Sequence, residues 1–297
     1  MRPDTAPSKA EPVRLADYAP PPWLVERVRL DVDLHPSATQ VRARIAFRRN
    51  PDGPASRPDL RLDGRSLALV SAEIDGAAIP DEALTTDREG LAVAASALPG
   101  DAFEWDCVTE IDPSANTALE GLYISKGMYC TQCEAEGFRK ITFYSDRPDI
   151  MAPFDVRVEA PADIPVLLSN GNPGASGMTE SGRRFAEWTD PFPKPSYLFA
   201  LVAGDLVAQE DRFTTASGRA IDLRVWVRPG DESRCAYAMD ALKRAMRWDE
   251  REYGREYDLD LFQIVAVDDF NMGAMENKGL NIFNSKYVLA SPETATD

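Results

Sequence analysis

The sequence is poor in the side chains that form cross-links and hold structural metals. It has a single histidine, His35, which we interpret as a structural or surface residue on a predicted strand. Its four cysteines fit reduced thiols better than a disulfide framework. Cys130-x-x-Cys133 could be half of a zinc clamp or a redox pair, but a structural zinc needs four ligands and no second Cys/His pair is visible. Packing is therefore the favoured interpretation of these two thiols.

Positive charge is also scarce. The chain has 33 Lys and Arg residues against 49 Asp and Glu residues, a net charge of −16. This balance argues against nucleic-acid binding, which needs clustered basic side chains, and weakly favours cationic partners. No apolar run approaches the roughly 20 residues that span a bilayer, and residues 1–10 have no apolar secretory core. We expect a cytoplasmic protein that binds neither nucleic acid nor membrane.

The first two-thirds of the chain have the pattern of an all-β domain. Residues 1–23 are rich in proline and predict an extended or disordered arm. Apolar and polar residues then alternate along residues 28–34 and 41–47, which predicts half-buried strands. Short strand candidates continue to about residue 200, where the apolar run 197–203 predicts a buried strand. The expected fold for residues 24–205 is mainly β, with antiparallel sandwich or saddle-like sheets.

The pattern changes after residue 205. An alternating strand at residues 221–227 precedes a helix whose apolar residues from Ala238 to Met246 follow helical spacing. Asp231 or Ser233 is expected to cap the start of this helix, and Gly254 its end. A buried strand at residues 261–267 follows. Strand, helix and strand predict that residues 206–297 form a mixed α/β unit that is too short to be complete.

A glycine-containing turn follows that last strand. Residues 273–277 read Gly-Ala-Met-Glu-Asn. Glycine lets another backbone approach closely, and a strand edge with such a gap can take an extended peptide as an added strand. A carboxylate just beyond the gap could bind a cation at the end of that peptide. From spacing alone, a strand followed by an ordinary polar turn is the more common explanation.

These residues resemble a known family. Gly-Ala-Met-Glu-Asn is similar to the exopeptidase motif of zinc aminopeptidases, and residues 271–289 resemble the bacterial aminopeptidase N (alanyl aminopeptidase) branch of those gluzincin metallopeptidases. The resemblance extends to residues 131–139 and 190–195 and covers nearly all of the chain after the first two dozen residues. It implies a β domain followed by the start of a thermolysin-like catalytic domain. It also implies zinc-dependent removal of N-terminal residues from peptides with a free N-terminus.

The resemblance also implies which residues recognise the peptide amine. Glu276 and Glu134 would be the two carboxylates, and Gln132 a hydrogen-bonding neighbour. A buried cation needs such partners. Each charge-assisted bond contributes about 1.5–3 kcal/mol, and a blocked amine would lose roughly 3–5 kcal/mol because two acids stay unpaired. The position of Glu134 in the motif is the only reason to assign this role to Glu134 rather than to Glu136.

Three further residues complete the implied substrate site. The backbone groups of Gly273 and Ala274 would align the substrate as an extra strand. Met272 would lie at the mouth of the pocket for the first residue, where a flexible thioether tolerates several side chains, although ordinary core filling explains it equally well. Asp268 and Asp269 are interpreted as structural.

The catalytic half of such an enzyme is not visible. The sequence has no His-Glu-x-x-His, so we expect the zinc ligands, the general base and the oxyanion tyrosine downstream of residue 297. Zn²⁺ is expected in the full-length enzyme and not on this chain, which has no catalytic residue and should be inactive alone.

Other functions remain open. One is a non-catalytic module that binds peptide N-termini, or a truncated homologue. Another is a leukotriene-type epoxide hydrolase, against which Ala274 argues because those proteins have Gly-Gly before Met-Glu-Asn. The last is a glycosidase that uses a carboxylate pair such as Asp268 and Glu276.

Overall fold

The computed structural model of this chain describes residues 14–293 and 295. Most of the predicted proline-rich arm, residues 1–13, lies outside these residues. Leu15–Asp17 form a 3-10 turn, and the first strand begins at Trp23.

Strands dominate the chain up to residue 204 and range from 2 to 12 residues in length. They are β1 (Trp23–Asp33), β2 (Thr39–Arg49), β3 (Leu60–Asp63), β4 (Ala68–Ile74), β5 (Ala77–Ala78), β6 (Leu84–Asp87), β7 (Gly90–Val93), β8 (Ala102–Ile111), β9 (Gly121–Ser125), β10 (Met128–Gln132), β11 (Met151–Ala160), β12 (Val166–Ser169), β13 (Asn172–Met178), β14 (Arg184–Pro195) and β15 (Leu201–Gly204).

The remaining elements mix strands and helices. They are β16 (Val207–Thr214), β17 (Ala220–Val227), α1 (Ala236–Tyr253), β18 (Leu261–Val267), β19 (Ala274–Met275), β20 (Leu280–Asn284) and the single turn α2 (Ser285–Val288). Between residues 14 and 293, and at residue 295, no helix has the length and apolar character to cross a membrane.

The largest sheet has eight strands in the order β13-β14-β11-β1-β2-β8-β4-β5. Its pairs are antiparallel except for β1 with β11, which is parallel. The alternation that predicted β1 and β2 separates a buried face from a face of ion pairs such as Arg48–Glu26 at 2.9 Å. Strands β3, β7 and β6 form a small separate sheet. The expected mainly β fold of this region is confirmed.

A second sheet, β12-β15-β10-β9, carries part of the candidate site. All residues of β10 and β15 are buried. The strand predicted for residues 197–203 is wrong in its first half, because Ser196–Leu198 form a 3-10 turn directly after Pro195. A continuous apolar run indicates burial, and burial alone does not distinguish a strand from a turn. His35 also lies off its predicted strand, in the exposed loop after Asp33.

The last sheet has the order β16-β17-β18-β20-β19 and is mixed. Strand β18 pairs in parallel with β17 and β20, whereas β16 and β19 are antiparallel to their neighbours. One face packs α1 through residues such as Ile264 and Met239. Residues of the other face, including Val265 and Ile282, belong to the same core as the first two sheets. The β domain and the start of an α/β unit therefore share buried surface.

Helix α1 begins differently from the prediction. Glu232–Arg234 form a 3-10 turn that starts after Asp231, and Cys235 is the N-cap of α1 without a side-chain hydrogen bond. Neither Asp231 nor Ser233 caps α1, because Asp231 precedes the 3-10 turn, where its side chain accepts from Arg234 Nη1 at 2.8 Å, and Ser233 lies within that turn. The predicted end is confirmed, since Gly254 is left-handed with φ of 62°.

Candidate functional site

The segment that leaves β18 is fixed to strand β9 of the β domain. Ser125 Oγ donates to Asp269 Oδ2 at 2.8 Å, and Tyr123 Oη donates to the Asp269 carbonyl at 2.9 Å. Further on, Asn271 Nδ2 donates to the Leu119 carbonyl at 3.4 Å. The segment therefore runs beside β9 from its last residue toward its first.

That end of the second sheet carries Gln132. The first residue of β9, Gly121, pairs with Gln132, the last residue of β10. The Gln132 side chain is only 2% exposed, and neither its Oε1 nor its Nε2 has a hydrogen-bond partner among the described residues. A buried polar group without a partner costs about 1–3 kcal/mol, so a side chain in this state is suited to a ligand that supplies one. Gln132 thus combines burial with free hydrogen-bonding capacity.

The carboxylates that follow β10 differ in their partners. Glu134 is exposed and has no hydrogen bond or ion pair in the described part of the chain, and its peptide bond to Ala135 is cis. Glu136 lies 3.3 Å from the Arg139 guanidinium, which is itself buried and bonded to Asp146 at 3.0 Å. Glu136 therefore has a cationic partner, which it shares with Asp146, whereas Glu134 has none among the described residues and is available to an external cation.

Glu276 follows β19, an edge strand of the sheet β16-β17-β18-β20-β19. The preceding residue, Met275, is fully buried and anchors β19 against β20, whereas Glu276 is exposed. The nearest cation along the chain, Lys278, is held by the Asp258 carboxylate at 2.6 Å. Within residues 14–293 and 295, Glu276 has no ion pair or hydrogen bond. Like Glu134, it therefore presents an uncompensated charge.

The backbone before Glu276 lies at an open sheet edge. The Gly273 carbonyl accepts a bond from Asn284 N at 3.0 Å on the β20 side. A Cβ on Gly273 would meet only the Tyr287 ring, at 3.8 Å, so this chain itself does not demand glycine there. Ala274 is exposed, and β19 is the terminal strand of its sheet. This edge can accept another extended segment.

Met272 is 43% exposed, so the core-filling alternative is wrong.

Asp268 accepts bonds from Lys126 Nζ at 2.9 Å and Ser285 Oγ at 2.7 Å, and these two partners hold the pKa of Asp268 below its usual range. Together with the bonds of Asp269, this supports a structural role for both acids. It also argues against a glycosidase pair of Asp268 with Glu276, because Asp268 is already engaged.

The thiols lie in the interior. All four cysteines are free and buried. Burial raises the pKa of Cys130 to about 12 and that of Cys133 well above its usual value. Metal binding and redox exchange require the thiolate, which burial disfavours. Among the described residues no group of three or more His, Cys, Asp or Glu side chains could hold a metal ion. The geometry supports packing for both thiols.

Sequence reasoning missed the side chains that hold the segment in place. Ser125 and Tyr123 on one side, and Asn170 on the other, contact residues more than a hundred positions away in the chain. No local spacing or motif marks such long-range partners, so nothing in the sequence alone could have identified them.

Comparison with known proteins shows which family the chain is similar to. Residues 26–198 match the peptidase M1 N-terminal domain, and residues 237–297 match the peptidase family M1 domain. The chain is 58% identical to aminopeptidase N of Caulobacter vibrioides over 297 residues, which is 100% of this chain and 33% of that protein. It is 52% identical to aminopeptidase N of Escherichia coli, over 95% of this chain and 32% of that protein.

A solved structure gives the same result. The crystal structure of Legionella pneumophila aminopeptidase A in complex with aspartic acid matches with a TM-score of 0.90 and 35% identity, over 96% of this chain and 33% of that one. The chain therefore spans about one third of the length of the relatives it matches. The family resemblance drawn from the motifs is confirmed.

Proposed function

The chain belongs to peptidase family M1, and from that premise we propose that it is the part of a zinc-dependent aminopeptidase that binds the free α-amine of a peptide. The observation that carries the proposal is a pair of exposed carboxylates without partners in the described chain, Glu134 and Glu276. They follow the ends of β10 and β19, strands of two sheets that the Asp269 and Asn271 contacts join. The buried amide of Gln132, which has no partner either, lies beside the first of them.

These groups match the chemistry of an ammonium group. A protonated α-amine has three N–H donors and no acceptor. Glu134 and Glu276 supply two anionic acceptors, and Gln132 Oε1 supplies a neutral one. Because each charge-assisted bond contributes about 1.5–3 kcal/mol, acylation of the amine is expected to weaken binding by roughly 3–5 kcal/mol. Selectivity for the first residue of a peptide would then follow from binding alone.

The sheet edge before Glu276 would align the rest of the substrate. A peptide added beside β19 would bond to the backbone of Gly273 and Ala274, and the missing Cβ of Gly273 leaves room for its main chain. The exposed thioether of Met272 would line the pocket of the first side chain and adapt to several shapes.

The described residues do not fit a zinc site. His35 is exposed, and its Nδ1 accepts a bond from Ser37 N at 3.4 Å. The cysteines are buried, and no ligand cluster is present in residues 14–293 and 295. We therefore assign the zinc ligands, the general base and the oxyanion tyrosine to the remaining two-thirds of a protein as long as the relatives. This chain alone is not expected to hydrolyse peptides.

Residues 24–205 would form the N-terminal β domain after an arm at residues 1–23, and residues 206–297 would begin the thermolysin-like catalytic domain. The partners would be peptides with a free N-terminus, encountered in the cytoplasm.

The experiment uses the full-length protein with alanyl-p-nitroanilide as substrate. Glu134→Gln and Glu276→Gln should each lower kcat/KM by roughly 10- to 100-fold, because each removes one charge-assisted bond. Glu136→Gln is the matched control, since its carboxylate is already paired with Arg139, and should change kcat/KM by less than about threefold.

A large loss in Glu136→Gln with none in Glu134→Gln would contradict the assignment. If the full-length protein lacks peptidase activity but still binds peptides with a free N-terminus, a non-catalytic binding module would replace the enzyme in this account.

A further inference from the structure

We propose that Asn170, a buried residue of the β domain, is a positioning residue that holds Glu276 in place through the backbone of Lys278. Asn170 is 1% exposed and follows the last residue of β12. Its Nδ2 donates to the Lys278 carbonyl at 2.8 Å. Lys278 lies two residues after Glu276. The inference rests on the proposed role of Glu276 in binding the amine.

The amide of Asn170 makes three hydrogen bonds. Besides the bond to Lys278, its Nδ2 donates to the Leu198 carbonyl at 3.0 Å, and its Oδ1 accepts from Ala200 N at 2.7 Å. Two of the three bonds thus fix the side chain within the β domain. Only the third reaches the segment after Glu276. A carboxylate of the same shape would place negative charge against two carbonyl oxygens, so the position requires an amide.

Two glycines allow the close approach that this bond needs. Gly171 has φ of 90°, and a Cβ there would lie 2.2 Å from the Thr189 carbonyl oxygen. Gly279 has φ of 72°, and its Cβ would lie 2.8 Å from Leu259 Cδ1 and 3.3 Å from the backbone nitrogen of Gly171. The two main chains therefore meet without side chains between them, next to the Asn170–Lys278 bond.

The segment that carries Glu276 is held at both ends. Ser125 fixes Asp269 on one side, and Asn170 fixes Lys278 on the other. Met275 is buried between them. A backbone held in this way loses little conformational freedom when the carboxylate it carries binds an amine, which preserves affinity. Of these two hydrogen bonds, the one between Asn170 and Lys278 is nearer to Glu276 along the chain than the one between Ser125 and Asp269.

The experiment isolates the contribution of the amine to binding. In the full-length protein, the inhibition constants of L-alanine hydroxamate and propionohydroxamate are compared, because these probes differ only in the α-amine. Asn170→Asp should reduce the preference for the amine-bearing probe about tenfold, within the range that a small misplacement of a binding group produces. The constant for propionohydroxamate should stay within about twofold.

Asn172 offers a matched control in the same turn. Its side chain also bridges the two units, but it contacts Asp260, with Nδ2 to Oδ2 at 3.1 Å and Oδ1 accepting from Asp260 N at 2.9 Å. Asn172→Asp should leave the preference within about twofold. If Asn170→Asp does not fold, Asn170→Ser is the second variant, because its neutral hydroxyl is too short to reach the Lys278 carbonyl. Its preference should fall about three- to tenfold.

A double-mutant cycle separates the two proposals. In a Glu276→Gln background, Asn170→Asp should reduce the preference no further, because its effect acts through Glu276. The inference is overturned if Glu276→Gln lowers the preference and the Asn170 variants do not. If Glu276→Gln itself leaves the preference unchanged, the proposed role of Glu276 fails instead.

Discussion

Lys194 and Asp190 form an ion pair that is almost completely enclosed. Their exposed fractions are 2% and 0%, and Lys194 Nζ lies 3.1 Å from Asp190 Oδ2 and 3.9 Å from the centroid of the Phe154 ring. Lys194→Met keeps most of the volume but removes the only cation that contacts the Asp190 carboxylate among the described residues. An uncompensated buried charge of this kind costs about 3–5 kcal/mol.

The consequence is measurable as a thermal shift. For a domain of this size, 1 kcal/mol corresponds to roughly 2–4 °C, so Lys194→Met should lower the Tm of the transition by at least about 6 °C in scanning calorimetry of the full-length protein. The double variant Asp190→Leu with Lys194→Met removes both charges and should recover most of that loss. A single variant within about 2 °C of the wild type would refute the reasoning.

Three further outcomes follow from the structure. Burial lowers the pKa of Lys194 from its ordinary 10.5 to about 8, so between these two pH values the unfolded chain binds more protons than the folded chain. The free energy of unfolding should therefore rise from pH 8 to pH 10.5, and urea titrations of Lys194→Met should not show this slope. Cys130 and Cys133 should react with iodoacetamide at pH 8 at least about 100-fold more slowly in the native than in the unfolded protein, and fast native labelling in peptide mass spectra would contradict their burial. Gly279→Ala should lower the Tm by several degrees, because a Cβ at φ of 72° would lie 2.8 Å from Leu259 Cδ1, and an unchanged Tm would argue against that close turn.

The elements that local patterns predicted correctly are those in which one periodicity dominates. Strand β1 from Val28 onward and strand β2 alternate because one face of their sheet is buried and the other is charged. Strand β18 is apolar except for Gln263 because it pairs on both edges and is covered on both faces. The apolar run at residues 197–203 led to a wrong strand prediction, because its residues are apolar through burial although the first of them belong to a 3-10 turn.

The candidate site could be predicted only in part. The motifs indicated Glu134 and Glu276, but sequence gave no independent reason to prefer Glu134 over Glu136. The ion pair with Arg139 is what distinguishes them, and it depends on how the chain folds after β10. The bond from Asn170 to Lys278 joins residues 108 positions apart, and such contacts leave no trace in local spacing.

The central claim is that Glu134 and Glu276 together bind the free amine of the substrate. The most direct measurement compares the inhibition constants of L-alanine hydroxamate and propionohydroxamate for the full-length wild type and for Glu134→Gln with Glu276→Gln. The wild type should prefer the amine-bearing probe by roughly two to three orders of magnitude, and the double variant by less than about threefold. A double variant that keeps the wild-type preference would contradict the account.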